Sequence, residues 1–571
     1  MASTVGLHPP SPGGETAPLL GSQPASPSSQ AGQSRHRRRK STSSFGSSTT
    51  TLDTGDVASA ARRDIEDDVL PERAVLGRTL GWRSAYILII SRVIGSGIFA
   101  TPGAIVGSVG SIGLSLTLWA AGAIISWFGL AVGLEYGCDK VYLEFTFRRP
   151  RFLASTIVAI HAVVLGFTAS NCIVFGEYIL FALGKHPSEH RVEVRALAVA
   201  LMTAITVVHG CFLRTGIFLQ NLLGWIKIGL VVFMTLASAV VVVAGYRPTP
   251  SSSGTRTLPS WDGIWEGSVW NWGIISTALF KVFYSYSGLQ NVNNVLNEVR
   301  DPVKTLRSAA TTALFTACLL YFLVNVAYFL IVPLDEIKRS GELIAALFFH
   351  RLLGETTGRI LLPVAVAISA AGNVMVVTFS LARLNQEIAR QGLLPYGHLW
   401  SSSRPFGAPL GALIVHYVPS VAVICVPATN IYSFILDVEG YPGQFFVLAT
   451  SLGLIWLRKT RPDLHRPYKA FLPVVWARIG LSLAMIGAPF IPKSGESHGD
   501  HLFRVSYALV GMSVLLLAFL YWLVLAVVLP KLGNYRLEEA VEVLQDGTII
   551  TKLVRVPEEE SQPSTSSLIT D

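Results

Sequence analysis

Two apolar stretches of this chain are interrupted by glycine and serine. Ile94-Gly95-Ser96-Gly97-Ile98-Phe99 breaks residues 84–109, and Tyr284-Ser285-Tyr286-Ser287-Gly288 breaks residues 272–297. Glycine destabilises a helix interior, and unwound backbone at membrane depth persists only where it lines a cavity or is buried in protein. Such a break can do chemistry with main-chain groups alone. A helix restarting near Gly97 turns the amides of Gly97, Ile98 and Phe99 toward the gap, with the positive end of its dipole, which suits a carboxylate. A helix ending near Tyr284 leaves the carbonyls of Tyr284, Ser285 and Ser287 to accept from an ammonium. The two breaks thus complement the two charged groups of a free amino acid, and Ile94, Ser96 and Gly288 are counted among the binding residues. Paired interrupted spans in corresponding halves point to a secondary transporter's binding site. A pair of kinked helices packed through their glycines is the alternative.

Ionisable residues are few and therefore informative. Lys227 lies mid-span in Trp225-Ile226-Lys227-Ile228-Gly229, where a charge costs at least about 2.5 kcal/mol unless it is partnered or snorkels to an interface. Lys281 precedes the second break by one turn. Asp437 and Glu439 stand before Gly440-Tyr441-Pro442-Gly443, read as a helix break, so that the pair carries a proton or closes an outer gate; an exposed start to that span is the alternative. Glu135, Glu177 and Glu298 fall at span ends and are read as hydrogen-bonded. His161, His209 and His416 are isolated and are expected to be packed or hydrogen-bonded. Cys138, Cys172, Cys211, Cys318 and Cys425 have no paired spacing and read as small buried hydrophobes, not as a disulfide framework or a zinc site. The chain has no nucleotide-binding loop, zinc pattern or nucleophile elbow. Neither an enzyme, a cofactor, a metal nor a nucleic-acid partner is expected.

These residues must be positioned by membrane helices. Of 571 residues, 51% are hydrophobic and 14% charged, against about a quarter charged in soluble domains. The apolar residues fall in long runs, and twelve spans of about 20 residues would occupy about 240 positions. Spans are expected near 84–109, 111–137, 151–183, 193–212, 216–245, 272–297, 306–333, 358–389, 409–427, 430–457, 471–491 and 502–530. The stretch Asp335–Arg359 reads as an amphipathic surface helix. Basic residues crowd the even-numbered connections, notably Arg148, Arg149 and Arg151, then Arg458, Lys459, Arg461, Arg466 and Lys469. Both termini are therefore expected in the cytoplasm. With no signal peptide recognised, the first span is expected to direct insertion. Residues 1–77 form a Ser-, Pro- and Gly-rich tail expected to be disordered, carrying His36-Arg37-Arg38-Arg39-Lys40 and the acidic Asp64–Asp68. In the tail 531–571, apolar runs flank Asp546-Gly547, which predicts a short hairpin from 541 to 554, with frayed coil as the alternative.

Several motifs together resemble a known family. Ile94–Phe99 with Thr101-Pro102 is similar to the first-span signature of amino acid permeases in the amino acid–polyamine–organocation superfamily. Tyr284–Gly288 with Asn293 and Asn297–Pro302 resembles the sixth-span signature of the L-type branch. Ser380–Arg383 with Ala389–Pro395, and Arg461–Lys469, resemble that branch's eighth-span ending and its loop before span eleven. Arg92 and Ala169-Ser170-Asn171-Cys172-Ile173-Val174-Phe175-Gly176-Glu177-Tyr178 carry a narrower likeness to fungal methionine permeases. The likeness runs over residues 78–530. It implies an all-α membrane protein of twelve helices, a five-plus-five inverted repeat with helices one and six broken, and two extra C-terminal helices. It also puts Asn171 and the aromatic gate Tyr284 at the substrate site, and Lys227 in the place of a sodium ion, touching the broken first helix. Where the L-type pattern has Trp-Asn, this chain has Leu289-Gln290.

The expected function is import of a neutral amino acid, methionine foremost, across the plasma membrane with protons. An exchanger of broader specificity, or a non-transporting sensor, are the alternatives. The loop Gly184–Arg195 has no cysteine, so a disulfide-linked heavy chain is not expected. By the same resemblance, Lys40 on the N-terminal tail is a ubiquitination site reached through a ligase adaptor.

Overall fold

The computed structural model describes residues 82–136, 139–147, 149–244, 261, 263–288, 302–404, 406–427, 431–462, 466, 468–491, 498–543 and 549–557. Lys40, the acidic patch, the second half of the expected sixth span, Cys138 and the Asp546-Gly547 turn lie outside them. In chain order the helices are α1 (Trp82–Val93), α2 (Gly97–Val109), α3 (Ile112–Tyr136), α4 (Asp139–Thr146), α5 (Leu153–Leu165), α6 (Ala169–Ala182), α7 (Arg191–Cys211), α8 (Leu213–Ala244), α9 (Trp272–Ser285) and α10 (Pro302–Ile331). There follow α11 (Leu334–Ser340), α12 (Ile344–Thr356), α13 (Leu362–Arg390), α14 (Gly397–Ser401), α15 (Leu410–Cys425), α16 (Ile431–Thr460), α17 (Leu472–Gly487), α18 (His498–Leu523) and α19 (Leu529–Gly533).

Among the described residues, 8 helical segments are long and apolar enough to cross a membrane. Four expected spans fall outside that set for visible reasons. The first and sixth are divided or end at their breaks, the ninth is the 16-residue α15, and the tenth, α16, carries Asp437 and Glu439. A chain with this many apolar helices is a multi-pass membrane protein.

Three expectations differ from the structure. The third span is not continuous: α5 and α6 are parted at Gly166-Phe167-Thr168. The backbone groups released there are taken up by α15, whose His416 Nδ1 donates to the Gly166 carbonyl at 2.7 Å and whose Ser420 Oγ accepts from the Thr168 amide at 3.3 Å. The expected break in span ten is absent. Pro442 lies inside the continuous helix α16 and packs on Gly511 of α18, where a Cβ would stand 2.9 Å from Pro442 Cγ. Finally, Asp335–Arg359 is not a surface helix. Ile337, Ile344, Phe348 and Phe349 are fully buried, and the turn at Gly341 presses on α2, where a Cβ on Gly103 would lie 2.3 Å from the Gly341 carbonyl oxygen.

Glu135 and Glu144 show why carboxylates stand at span ends. Glu135, its side chain shielded from solvent, accepts from Arg458 at 3.2 and 2.6 Å and from the Ala470 amide at 2.8 Å. It therefore fastens the end of α3 to the basic connection between α16 and α17. Glu144 accepts from the Phe152 and Ser155 amides at 3.3 and 3.0 Å, satisfying first-turn donors of α5. At the C-terminal end, β1 (Tyr535–Val543) and β2 (Ile549–Pro557) pair antiparallel, Tyr535 opposite Pro557, a longer hairpin than 541–554.

Candidate functional site

The two breaks meet. α2 packs against α9, and at their crossing a Cβ on Gly97 would stand 2.9 Å from Ser285 Cα and 3.0 Å from its Cβ. No side-chain rotation relieves a collision with backbone, so only glycine permits this approach. Ser285 Oγ bonds Thr101 Oγ1 at 3.0 Å and donates to the Lys281 carbonyl at 3.0 Å. Ile94, Ser96, Ile98, Phe99 and Ser285 are all buried. The Phe99 amide donates to the Ser96 carbonyl at 3.0 Å, which leaves Gly97 and Ile98 as the first-turn amides without an acceptor among the described residues. On the α9 side the Tyr284 carbonyl accepts from the Ser287 amide at 3.1 Å and the Ser285 carbonyl from the Tyr321 hydroxyl at 3.0 Å. Each keeps its second lone pair. Ser287 is exposed, and Gly288 has φ +107°, a left-handed conformation that favours glycine.

Asn171 joins this site from α6. Its Oδ1 accepts from Ser96 Oγ and, at 3.2 Å, from Asn373 Nδ2 of α13. Lys227, 6% exposed, donates to Asn373 Oδ1 at 3.5 Å. The ammonium on α8 is thus tied to the first break through two asparagine side chains. Tyr284 Oη lies 3.3 Å from Ser170 Oγ. Beyond α9, Lys281 and Asp437 form an ion pair at 2.9 Å, their side chains 3% and 13% exposed. Asp437 sits well inside α16, not at an exposed start, and Glu439 lies half-buried on the same helix.

An amino acid permease family model matches residues 80–519. The chain belongs to the amino acid permease family. It is 32% identical to the low-affinity methionine permease of Saccharomyces cerevisiae over 84% of this chain and 88% of that protein. It is also 32% identical to the high-affinity methionine permease of the same yeast, over 84% of each chain. The b(0,+)-type amino acid transporter 1 of Mus musculus is 28% identical over 76% of this chain and 87% of its own. The superfamily and L-type likeness read from the motifs therefore holds, and the protein is a transporter rather than an enzyme.

The permease contains site residues that sequence reasoning missed. Pro102 has no amide hydrogen, so the Ile98 carbonyl one turn earlier loses its helical donor. The Tyr328 hydroxyl supplies one at 3.3 Å. Tyr178 Oη lies 2.9 Å from both the Phe99 and Glu342 carbonyls, joining α2 to the turn at Gly341. Tyr321 Oη lies 3.0 Å from both the Val93 and Ser285 carbonyls, bridging the two breaks. Tyr321 and Tyr328 are two turns apart on α10, a polar stripe the sequence displays. Asn373 and Arg478 carried no such pattern. Arg478 is 7% exposed, with its guanidinium carbon 5.7 Å from the centre of the Phe283 ring. Among His161, His209 and His416, the last is hydrogen-bonded, while His161 and His209 pack on Phe446 and Phe379. The described cysteines, Cys172, Cys211, Cys318 and Cys425, are free thiols, and Cys425 is exposed.

Proposed function

We propose that this permease imports a neutral amino acid, methionine foremost, across the plasma membrane by proton symport. The junction of the two breaks at Gly97 and Ser285 carries the reading, because it gathers unpaired amides and lone-pair carbonyls around one buried point. Gly97 and Ile98 receive the substrate carboxylate; the carbonyls of Tyr284, Ser285 and Ser287 receive its ammonium. Ile94, Ser96, Phe99, Asn171 and Gly288 complete the walls, with Tyr284 as the gate. The names of the two yeast relatives favour methionine over other neutral amino acids. Twelve spans in a five-plus-five inverted repeat, with residues 78–530 as the permease domain and both tails, 1–77 and 531–571, in the cytoplasm, complete the proposal.

Lys227 stands in for a sodium ion, and Asp437 with Glu439 carries the proton. The Lys281–Asp437 pair makes that step concrete: protonating Asp437 releases Lys281, and with it the hold of α16 on α9. Purified permease in proteoliposomes tests the function. Labelled methionine accumulates when the outside is acidified, and unlabelled neutral amino acids compete. Uptake that requires a loaded internal amino acid would establish an exchanger, and binding without accumulation a sensor. Lys40 is proposed as the ubiquitin acceptor for removal from the surface, through an adaptor on the tail. Lys40→Arg then slows substrate-induced endocytosis with initial uptake unchanged.

A further inference from the structure

Arg478 brings a guanidinium into the interior of the helix bundle. It lies on the inward face of α17, 7% exposed, and its Nε and Nη1 atoms are shielded from solvent with no acceptor among the described residues. The guanidinium rests between two other helices. The Phe283 ring of α9 is centred 5.7 Å from the guanidinium carbon. On α3, the place that a Cβ on Gly129 would take is 3.8 Å from Nη2 and 4.0 Å from Nε. Val475 and Ile479 flank Arg478 on α17 and pack with Ala131 and Val132 of α3.

The carboxylates on these helices and on the adjoining α16 serve other partners. α3, α9, α16 and α17 carry Glu135, Asp437 and Glu439 between them. Glu135 accepts from Arg458 and lies 3.5 Å from Arg466. Asp437 is paired with Lys281. Glu439 stands toward the other end of α17. Its neighbour Tyr441 donates to the Ile486 carbonyl at 3.0 Å, and the helix from position 478 to 486 is about 12 Å long. Snorkelling does not relieve the charge, because the whole side chain is enclosed within the span.

We propose that Arg478 binds a small monovalent anion, chloride above all, at this junction of α3, α9 and α17. Buried charges in proteins are paired with an opposite charge, and an ionisable residue within a span marks a functional site. One guanidinium balances one negative charge. Its weak hydration and the apolar side chains around it suit a weakly hydrated halide. Glycine at position 129 keeps the space beside Nη2 that a long side chain would fill. Phe283 immediately precedes Tyr284, so an anion that holds the guanidinium in place also steadies the ring next to the gate. The inference goes beyond proton-coupled import and does not depend on which amino acid is carried.

The test uses the full chain in phosphatidylcholine nanodiscs. Thermal unfolding is followed as sodium chloride, or sodium bromide, replaces sodium gluconate at constant ionic strength and pH. Each halide is expected to raise the midpoint to a plateau, as a ligand of the folded state does. Arg478→Met removes the charge and is expected to lose the halide response, with a midpoint in gluconate at or above that of the parent. Arg478→Lys keeps a cation without the planar fork, and is expected to need at least tenfold more chloride for the same rise. It also stands in should the methionine variant fail to fold. In proteoliposomes, gluconate in place of chloride on both sides is expected to slow methionine uptake by the parent severalfold. A parent without methionine uptake would sink the transport reading alone, since the unfolding series requires no transport. Equal parent midpoints in chloride and gluconate, or a halide response undiminished in the Arg478 variants, overturns the proposal.

Discussion

Gly97 and Asn373 act on the site in different ways, one by what it lacks and the other by what it bonds. A side chain at position 97 meets Ser285 backbone at 2.9 Å, so Gly97→Val separates the two breaks and abolishes uptake. Surface biotinylation alongside the uptake assay checks this, and normal uptake at normal abundance would remove Gly97 from the site. Asn373 presents its carbonyl to Lys227 and its amide to Asn171. Asn373→Leu deletes a hydrogen bond to a charged group, worth about 1.5–3 kcal/mol, and is expected to slow uptake tenfold or more. Asn373→Asp retains the acceptor for Lys227 and should recover part of the rate. Equal rates for the two variants would make Asn373 a packing residue.

Between elements, the decisive contact is the Lys281–Asp437 pair joining α9 to α16. Removing one member of a buried pair leaves an uncompensated charge, at a cost of about 3–5 kcal/mol, whereas replacing both with apolar groups is often neutral. Lys281→Met and Asp437→Leu are each expected to lower the folded yield, and the double substitution to restore it. If the pair transmits protonation, the restored protein takes up substrate with a flattened pH dependence. A double variant that keeps the parent pH profile would assign the pair to structure alone. The break between α5 and α6 is a second inter-element device, because His416 and Ser420 on α15 substitute for helical partners that Gly166 and Thr168 lack.

At the scale of the whole molecule, cation requirement separates the proposed modes of coupling. If the Lys227 ammonium takes the place of a sodium ion, as proposed, replacing sodium by choline leaves initial uptake unchanged, and Lys227→Ala impairs it at normal surface level. Strict dependence on sodium would contradict this assignment. Uptake is expected to be faster at about pH 5 than at about pH 8, and to collapse with a protonophore, because carboxylates such as Asp437 and Glu439 are the groups able to carry a proton across the span.

Class and the two breaks were legible in the chain alone because each rests on local composition, and the family because its motifs are short contiguous runs that resemble those of known permeases. Long apolar runs can satisfy their backbone in lipid only as helices, and Ile94–Phe99 and Tyr284–Gly288 contain the glycines that interrupt them. What remained hidden depends on partners distant in sequence. Nothing around Gly166 distinguishes it from a tolerated helix glycine; it becomes a break because His416 stands ready to bond its carbonyl. Gly440-Tyr441-Pro442-Gly443 reads as a break, yet the helix continues with Pro442 packed against Gly511. The 335–359 stretch is amphipathic, and periodicity cannot tell a helix facing water from one whose apolar face meets α2. Asn373 has no local signature, since its role arises only when α6, α8 and α13 bring Asn171, Lys227 and Asn373 together. Sequence determines which groups a segment must satisfy or bury; tertiary structure decides which neighbour satisfies them.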